Sequence, residues 1–421
     1  MKLLLYGINF APELTGIGKY TGSMAAWFAQ SGHEVRVITA PPYYPAWKVA
    51  LGYSTLAYRK ELWQGVQVFR TPLWVPQQPG GIKRMVHLAS FALCSLPVLL
   101  AQWTWKPDVV WVVEPPLMCA PAAAAFSSLR SAKSWLHIQD YEVDAAFNLG
   151  LIKGKTLRRF IEGTERWLMR RFDRVSTISG RMVERAQAKG LAADTVVNFP
   201  NWVDLGDISP LAGPSPYRAE LGLADDAVVA LYSGNMGNKQ GLEILANVVR
   251  QMQDDSRVKF VFGGNGSGRA DLEKRCIGLP NVRFLDLQPL ERLNDWLGLA
   301  DVHLLPQRAD AADLVMPSKL TGMLASGRPV LATAHAGTEL ERVVARDVDC
   351  GLVVPPEDPA AMAQALRTLA ADPTLRAALG TNGRRYAERE LNQDVILRRF
   401  EAQLQALVQE RRRCTGKQPC V

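Results

Sequence analysis

Two successive series of short apolar segments, each followed by a stretch with helical patterning, constrain the fold of this chain more than any other feature. Nearly continuous apolar segments that alternate with helices are typical of parallel β-sheets covered by helices on both faces. The first series predicts strands at 2–8, 33–40, 108–115, 133–140 and 174–179. The second predicts strands at 226–234, 258–264, 282–287, 302–306, 329–334 and 350–354. The expected fold class is therefore α/β, with two doubly wound, Rossmann-like domains.

The stretch between the two series has the composition of a domain boundary. Residues 196–223 are rich in Pro, Gly, Asp and Asn, which favours a segment crossed by few contacts. We place the hinge near 202–218, since 421 residues are too many for one core. The predicted domains are 1–205 and 218–385, and the amphipathic helix at about 386–412 is expected to cross back to the first domain.

The chain carries a formal net charge of +8, part of which is concentrated between Lys153 and Arg174. A basic segment suits an anionic partner, which on charge alone is a nucleic acid, an acidic membrane surface or a phosphorylated small molecule. An ordinary solvated helix face is the alternative. Nucleic-acid binding is the least favoured partner, because the aromatic residues cluster at 43–74 and are not interleaved with the basic runs.

The cysteines and the first residues indicate a cytoplasmic protein. The cysteines are scattered and lack Cys-x-x-Cys spacing, which favours reduced thiols over disulfides or a metal site. The first ten residues lead into a glycine loop without a small-residue cleavage site, so we predict a strand rather than a signal peptide.

Residues 85–105 raise the question of membrane contact. They are mostly apolar and uncharged, and their length would permit a spanning helix. A span would separate the strands on either side of it, which belong to one predicted sheet. We therefore favour a helix that lies partly in the core and partly in the membrane interface, with Trp103, Trp105 and the pair Lys83 and Arg84 at the headgroups. A fully buried core helix is the alternative.

Two loops of the first domain are placed to meet a ligand, because ligands of parallel sheets bind beyond the carboxyl ends of the strands. Gly16 and Gly18 follow the first strand and precede a helix, so their backbone could approach an anion or a sugar closely. Their spacing does not match GxGxxG, and a simple tight turn explains them as well. Asp140 is the first charged residue after its strand, where a carboxylate could accept a proton from an acceptor hydroxyl.

Three loops of the second domain share this placement. Gly234 and Lys239 precede a helix start, where amides, helix dipole and ammonium would together hold a phosphate. Gly264 follows the next strand, and a turn explains it nearly as well as a ligand. Ser318 and Lys319 stand at a later helix start, for which ordinary helix capping is the alternative reading.

The motifs SGNMGNKQGLE, PSKLTGMLASGRPVLATA and FAPELTGIGKY, on two Rossmann-like halves, resemble the retaining nucleotide-sugar glycosyltransferases of family 4. That family has the GT-B fold, in which two domains face each other across a cleft. The segments HIQDYEVDAA and ERWLMRRFDRVSTIS resemble more narrowly the colanic acid biosynthesis glycosyltransferases, for which fucose transfer is the expected activity. The resemblance spans nearly the whole chain.

The resemblance implies transfer of a sugar, fucose, from a GDP-sugar to a lipid-diphosphate-linked saccharide at the cytoplasmic face of the inner membrane. It implies neither a metal nor another cofactor. By resemblance, Asp140 and Lys239 are the catalytic residues, and the first domain binds the acceptor. The donor would be bound by Gly16, Gly18, Gly234, Asn235, Lys239, Gly264, Leu287, Gln288, Ser318 and Lys319.

The sequence departs from the family pattern at its charged positions. Asn235 stands where many relatives have an arginine, and Leu314 and Gly322 stand where they have two glutamates. Asp310 and Asp313 lie close enough to substitute in part. Retention in this family is thought to require no strong enzymic nucleophile, so alignment and charge stabilisation at the leaving diphosphate would suffice.

The sequence is also compatible with two other functions. A nucleotide-sugar epimerase could have the same two-domain layout, and would convert the donor sugar without an acceptor. A nonenzymatic glycolipid-binding protein would explain the missing glutamates, and release of GDP with a lipid acceptor would exclude it.

Overall fold

The computed structural model describes residues 1–13, 16–77, 80–148, 155–237, 240–309 and 317–416. The chain divides into two compact units. The first comprises Met1–Pro200 with Leu397–Val421, and the second comprises Asn201–Ile396.

The first unit contains an eight-stranded sheet in the order β3-β4-β2-β1-β5-β6-β7-β8. All neighbouring strands are parallel except β3 and β4, which form an antiparallel hairpin. When β3 and the short β8 are left out, the remaining order, β4-β2-β1-β5-β6-β7, is that of a doubly wound nucleotide-binding sheet. The strands are β1 (Lys2–Tyr6), β2 (Glu34–Thr39), β3 (Arg59–Trp63), β4 (Val66–Arg70), β5 (Val109–Glu114), β6 (Lys133–Ile138), β7 (Arg174–Thr177) and β8 (Val196–Asn198).

Sequence patterning missed β3, β4 and β8. The edge strand β3 has no apolar run, since Arg59 and Lys60 are exposed. It is joined to β4 by Gln64 and Gly65, whose φ angles of +46° and +81° are those of a tight hairpin turn. Strand β8 has three residues, too few for a pattern to be detected.

The described part of residues 1–200 contains six α-helices. The predicted apolar helix at 85–105 is found as α2 at 81–101, so Trp103 and Trp105 lie beyond its end. The helices are α1 (Gly16–Gln30), α2 (Gly81–Ala101), α3 (Ala120–Arg130), α4 (Glu142–Asn148), α5 (Lys155–Met169) and α6 (Gly180–Ala188).

The second unit contains a six-stranded parallel sheet in the order β11-β10-β9-β12-β13-β14. All six of these strands were predicted, and two doubly wound sheets are confirmed. The strands are β9 (Val228–Ser233), β10 (Val258–Gly263), β11 (Val282–Leu285), β12 (Val302–Leu305), β13 (Val330–Thr333) and β14 (Gly351–Val354). The helices are α7 (Pro216–Glu220), α8 (Glu243–Gln251), α9 (Arg269–Arg275), α10 (Leu293–Gly298), α11 (Lys319–Ala325), α12 (Glu339–Glu341, continued by a π-helical turn), α13 (Pro359–Ala371) and α14 (Pro373–Glu390).

The last helix, α15 (Gln393–Gly416), supplies part of the core of the first unit. Phe400 is buried, with its ring centroid 4.2 Å from that of Phe199 and 4.9 Å from that of Trp135. Glu401 reaches His33 Nε2 over 2.7 Å. The expected return of the C-terminal helix to the first domain is thus confirmed, although residues 386–390 belong to α14 rather than to this helix.

Candidate functional site

Two glycine loops meet at the carboxyl ends of β9 and β10 in the second unit. Gly234 and Gly264 follow these strands, with φ angles of +116° and +142°. The amide of Gly234 donates to the carbonyl oxygen of Gly263 over 2.9 Å, and a Cβ at Gly264 would lie 1.9 Å from the carbonyl oxygen of Gly234. The glycines therefore allow the two loops to pack on each other, and their contact with a donor stays a prediction.

Lys319 brings a cation to these loops from the start of α11. Its Nζ donates to the hydroxyl of Tyr232 over 2.6 Å and to the carbonyl oxygen of Asn235 over 3.2 Å. A Cβ at Gly234 would lie 3.0 Å from Lys319 Cε, so the lysine side chain passes directly beside that glycine. Three predicted donor residues are thus brought together around Tyr232, which sequence reasoning had treated as an ordinary strand residue.

The Lys319 ammonium is buried without a counter-ion among the described residues, because no carboxylate in those ranges pairs with it. Burial lowers its pKa to about 7. Burial also raises the pKa of Tyr232, whose neutral hydroxyl donates in turn to the carbonyl oxygen of Asn235 over 2.6 Å. An anion beside such an ammonium would offset its lost hydration and restore its charge. The arrangement is suited to a phosphate group.

Asn235 contributes its backbone rather than its side chain to this contact. A Cβ at Gly266 would lie 2.7 Å from Asn235 Oδ1, and a Cβ at Gly237 would lie 3.3 Å from Asn235 Nδ2. The amide side chain is therefore packed within the loops. Asparagine here fills the space between two glycines, and the positive charge comes from Lys319.

Leu287 and Gln288, predicted to meet the nucleotide base, follow β11. Leu287 is 45% exposed. The hydroxyl of Tyr217 donates to Gln288 Oε1 over 2.8 Å, and Gln288 Nε2 donates to the carbonyl oxygen of Asp286 over 2.9 Å. The glutamine side chain is thus held by protein groups, which leaves the exposed Leu287 as the more accessible of the two.

The start of α11 differs from the expected cap. Ser318 occupies the N-cap position, but its φ and ψ of −59° and −19° are helical and its side chain makes no capping hydrogen bond. The alternative reading, in which Ser318 only caps the helix, is therefore wrong, because a capping residue needs an extended backbone to bring its side-chain oxygen over the first amides. Ser318 is exposed, and its role at the donor stays a prediction.

Gly322 shows how the missing glutamate is accommodated. A Cβ built at Gly322 would lie 3.2 Å from Leu297 Cδ1 and 3.8 Å from Ile208 Cδ1. An apolar contact therefore fills the space beside Gly322, the position at which the resemblance implies an acid. Four other positions singled out from the sequence lie outside the described residues: the acids Asp310 and Asp313, Leu314, and the predicted catalytic Lys239.

In the first unit, Gly18 is explained by packing. A Cβ at Gly18 would lie 2.5 Å from Glu13 Oε2. Glu13 is buried, and its Oε1 accepts hydrogen bonds from the amides of Tyr43 and Tyr44 over 3.1 and 3.0 Å. Burial raises the pKa of this carboxyl. The carboxylate, which sequence reasoning missed, occupies the space beside Gly18 that had been expected to face a diphosphate.

Gly16 and Asp140 both lie close to Tyr44. Gly16 starts α1 with a φ of +65°, and a Cβ there would lie 3.2 Å from Tyr44 Cε1. The charges of Asp140 and Glu13 add to burial in raising the pKa of Tyr44. His137, predicted to be a satisfied strand residue, bonds to Ser176 Oγ over 2.8 Å, and burial lowers its pKa to about 3. Asp140 thus lies beside the loop that follows β2, and its catalytic role stays a prediction.

Within the described ranges, no group of three or more His, Cys, Asp or Glu side chains is placed to hold a metal ion. Cys94, Cys119, Cys276 and Cys350 are free thiols. One helix among the described residues, α2, is long and apolar enough to cross a membrane by length and composition, with a mean hydropathy of 1.6 and a third of that window buried.

Two family profiles match the chain. The "Glycosyl transferase 4-like domain" profile matches residues 15–202, and the "Glycosyl transferases group 1" profile matches residues 227–372. These two matches lie in the first and the second sheet, respectively.

One similar protein covers nearly the whole chain, and another covers less than half of it. An Escherichia coli (strain K12) protein described as a candidate colanic acid biosynthesis glycosyl transferase, WcaI, is 44% identical over 95% of this chain and 98% of its own length. The D-inositol 3-phosphate glycosyltransferase of Streptomyces avermitilis is 33% identical over 44% of this chain and 41% of its own length.

Solved structures share the fold at low identity. The sucrose-phosphate synthase of Thermosynechococcus elongatus superimposes with a TM-score of 0.72 at 18% identity, covering 96% of this chain and 98% of its own. The Anabaena HepE protein in complex with UDP and glucose gives a TM-score of 0.70 at 15% identity, covering 96% and 99%. The predicted GT-B fold is confirmed by these neighbours.

Proposed function

This chain belongs to the GT-B glycosyltransferases, in the family that includes the colanic acid biosynthesis enzymes, and from that premise we propose that it transfers fucose from GDP-fucose to a lipid-diphosphate-linked saccharide. The transfer retains the anomeric configuration and contributes to exopolysaccharide synthesis. In this proposal the second unit binds the donor and the first binds the acceptor.

The observation that carries the proposal is the buried ammonium of Lys319 beside the two glycine loops, which pairs with no carboxylate in the described ranges. A diphosphate leaving group gains negative charge as the sugar departs, so a cation held in a dry site stabilises the transition state more than the ground state. Lys319 has few partners that would compete, because its described contacts are the Tyr232 hydroxyl and one carbonyl oxygen. Lys239, five positions after Gly234 in the sequence, is proposed as a second cation.

The proposed reaction needs no protein nucleophile. The bond between the anomeric carbon and the diphosphate oxygen breaks, and the acceptor oxygen bonds to the same face of the sugar. The acceptor proton passes to the departing diphosphate oxygen, while Asp140 orients the acceptor hydroxyl. Loss of the two family glutamates is compatible with this route, because alignment and charge stabilisation carry it.

The experiment tests Lys319 directly. We expect Lys319→Met to reduce nucleotide release from the preferred donor by about 100-fold, the usual effect of removing one group that stabilises transition-state charge. Lys319→Arg keeps the positive charge but changes its geometry, so its rate of nucleotide release is expected to lie between those of the wild type and Lys319→Met. Lys274→Met, at an exposed position of α9, is the matched control.

The assay is a screen of GDP- and UDP-sugars with membrane extract as the source of acceptor. Full turnover by Lys319→Met would contradict the proposed role. Conversion of the donor sugar without acceptor would favour the epimerase, and saccharide-lipid binding without any nucleotide release would favour a nonenzymatic protein. A UDP-sugar preference would overturn only the choice of base.

Peripheral contact with the inner membrane is the second part of the proposal. Helix α2 exposes apolar side chains along its length, and Leu93 and Leu100 are 68% and 61% exposed. Helix α5 exposes Leu157, Phe160 and Trp167 at a spacing that places them on one face. Arginines flank that face, at positions 158, 159 and 166. Exposed apolar and basic residues on one helix are typical of interfacial membrane helices.

Vesicle flotation tests this contact. We expect the double substitution Phe160→Ser and Trp167→Ser to weaken binding to phosphatidylglycerol vesicles about tenfold, from the loss of buried aromatic area. The matched control is Leu129→Ser, which alters an equally exposed side chain on α3. Unchanged flotation of the double variant would exclude α5 as a contact.

A further inference from the structure

An aromatic cluster lies at the carboxyl end of β2 in the first unit. Tyr43 and Trp47 follow that strand, and His87 comes from α2. The ring centroids of Tyr43 and Trp47 lie 4.8 and 5.2 Å from that of His87. His87 is buried, and its Nδ1 bonds to the carbonyl oxygen of Trp74 over 2.6 Å. Because His87 is fixed in this way, it holds the two aromatic rings of the loop in place.

Trp47 adopts a backbone conformation that a tryptophan rarely adopts. Its φ of +51° lies in the left-handed region, where a non-glycine residue is strained. The neighbouring rings hold the residue there, and its side chain is only half-buried. A strained, partly open aromatic residue at the carboxyl edge of a parallel sheet is where a ligand contact is expected.

Tyr44 is fixed beside this cluster. Its amide donates to Glu13 Oε1 over 3.0 Å, and its ring edge packs against Gly16. The residue is half-buried, so part of the ring is open to solvent. Aromatic rings presented beside carboxylates are suited to a sugar, whose C–H face packs on a ring while its hydroxyls donate to the acids.

Arg84 supplies a cation to the same place. It lies in the first turn of α2, is half-buried, and makes no hydrogen bond or ion pair with any residue in the described ranges. Burial raises the pKa values of Tyr43, Tyr44 and Glu142, and the positive charge of Arg84 offsets part of each rise, as expected for a guanidinium on the turn of α2 that precedes His87. A guanidinium without a protein partner in such a position is suited to bidentate binding of a phosphate.

An apolar surface begins next to Arg84. Ile82, Met85 and Val86 are 79%, 43% and 49% exposed on the same turns of α2. Aromatic rings, a cation without a partner in the described ranges and exposed apolar side chains are therefore all presented around the first two turns of α2. These are the three chemistries of a saccharide joined through a diphosphate to an isoprenoid chain.

We propose that Tyr44, Trp47 and Arg84 form the acceptor subsite, in which the aromatic rings contact the acceptor sugar and the guanidinium binds the diphosphate of its lipid carrier. The isoprenoid chain leaves along Ile82, Met85 and Val86. The proposal rests on the function proposed above, and it assigns the recognition of the acceptor to residues outside the donor site.

Binding of farnesyl diphosphate, a short isoprenoid diphosphate, tests Arg84. We expect Arg84→Met to weaken its binding about tenfold or more, and Arg84→Lys to recover part of the loss. Farnesol lacks the diphosphate, so its binding should be unchanged in both variants. Lys83→Met, on the adjacent exposed residue, is the matched control and is expected to leave farnesyl diphosphate binding unchanged.

Two other outcomes would show that Arg84 binds the donor or anionic membrane lipid rather than the diphosphate of the acceptor. If Arg84→Met weakens GDP binding instead, Arg84 belongs to the donor and the proposal is overturned. If it weakens binding to phosphatidylglycerol vesicles as much as it weakens farnesyl diphosphate binding, Arg84 is a general membrane contact and the proposal is again overturned. Nucleotide release by the wild-type protein is measured separately: its absence would contradict the proposed function, whereas farnesyl diphosphate binding tests the acceptor subsite alone.

Trp47 is tested through the acceptor sugar. With membrane extract as acceptor, Trp47→Ala is expected to raise the acceptor KM about tenfold with little change in the donor KM, and Trp47→Phe to retain most of the binding. Equal changes in both KM values, or a lowered melting temperature in Trp47→Ala, would show a structural role and overturn the assignment of Trp47.

Discussion

The sheets of the two units share the order of their six central strands, yet the groups whose pKa is shifted most clearly by burial near the strand ends are opposite in charge. In the second unit it acts on an ammonium, and the pKa of Lys319 falls to about 7. In the first unit it acts on carboxyls, and the pKa values of Glu13, Glu114 and Glu142 are all raised. Each unit therefore pushes its own groups towards neutrality. One topology can therefore carry a buried ammonium in one copy and buried carboxyls in the other.

The largest expected effect concerns the loop contact that confines Lys319. Gly264→Ala places a Cβ 1.9 Å from the carbonyl oxygen of Gly234. We expect it to lower the free energy of unfolding by about 3 kcal/mol, as for other strained backbone positions, and to abolish GDP binding. Urea unfolding and calorimetry measure the two effects. Gly213→Ala, at a glycine with open space around it, should change neither.

The second expected effect is that stability and GDP binding depend on pH through Lys319. The Lys319 pKa is lowered from 10.5 to about 7, so between these values the unfolded chain binds more protons than the folded one. The contribution of Lys319 to stability therefore rises from pH 7 to 10.5. GDP binding should change in the opposite direction, because only the protonated lysine attracts the diphosphate. Lys319→Met should remove both trends; a wild-type slope in that variant would show that another group is responsible.

The buried acids of the first unit should make stability fall as the pH rises, which is the opposite of the contribution of Lys319. Burial, together with the charges of Glu165 and Glu142, raises the pKa of Glu114 well above its usual range. The folded state then binds more protons, so this contribution to stability falls as the pH rises above about 4.5. Glu114→Gln resembles the protonated form and should therefore be more stable than the wild type at pH 8. Glu184→Gln, on an exposed side chain, is the control for thermal unfolding.

The smallest expected effect concerns Gly322, the position at which the family pattern implies a glutamate. Gly322→Ala gains helix propensity but brings a Cβ to 3.2 Å from Leu297 Cδ1, so we expect a change in stability within about 0.5 kcal/mol. Gly322→Glu should cost more, about 1 kcal/mol, because Leu297 must move, and should not increase nucleotide release. A gain in turnover with the glutamate would show that the acid had been lost at the expense of activity.

Sequence patterning predicted the buried strands and failed where the signal was local or polar. The strands of the second unit are continuous apolar runs, so all six could be predicted. The edge strand β3 reads RKELW, and its place in the sheet depends on the turn at Gln64 and Gly65 rather than on apolar periodicity. Burial of one face is what makes a strand visible in sequence, and an exposed edge lacks it.

The site was predicted in part. Gly234 and Lys319 were singled out, and they lie in contact. Their joint dependence on Tyr232 could not be predicted, because Tyr232 and Lys319 are 87 positions apart and meet only through the packing of α11 on the sheet. Glu13 was missed for a similar reason, since its role depends on the amides of Tyr43 and Tyr44, 30 and 31 positions further along the chain.

The last helix has a consequence for biosynthesis. Phe400 fills the space between Phe199 and Trp135, so the first unit cannot complete its core until the ribosome has made a segment almost 200 residues beyond that unit's last sheet strand. The second unit, by contrast, is wholly encoded before that segment emerges. The part of the molecule synthesised first is therefore the part that finishes folding last, and a ribosome that stops before Leu397 would release a finished second unit attached to an unfinished first one.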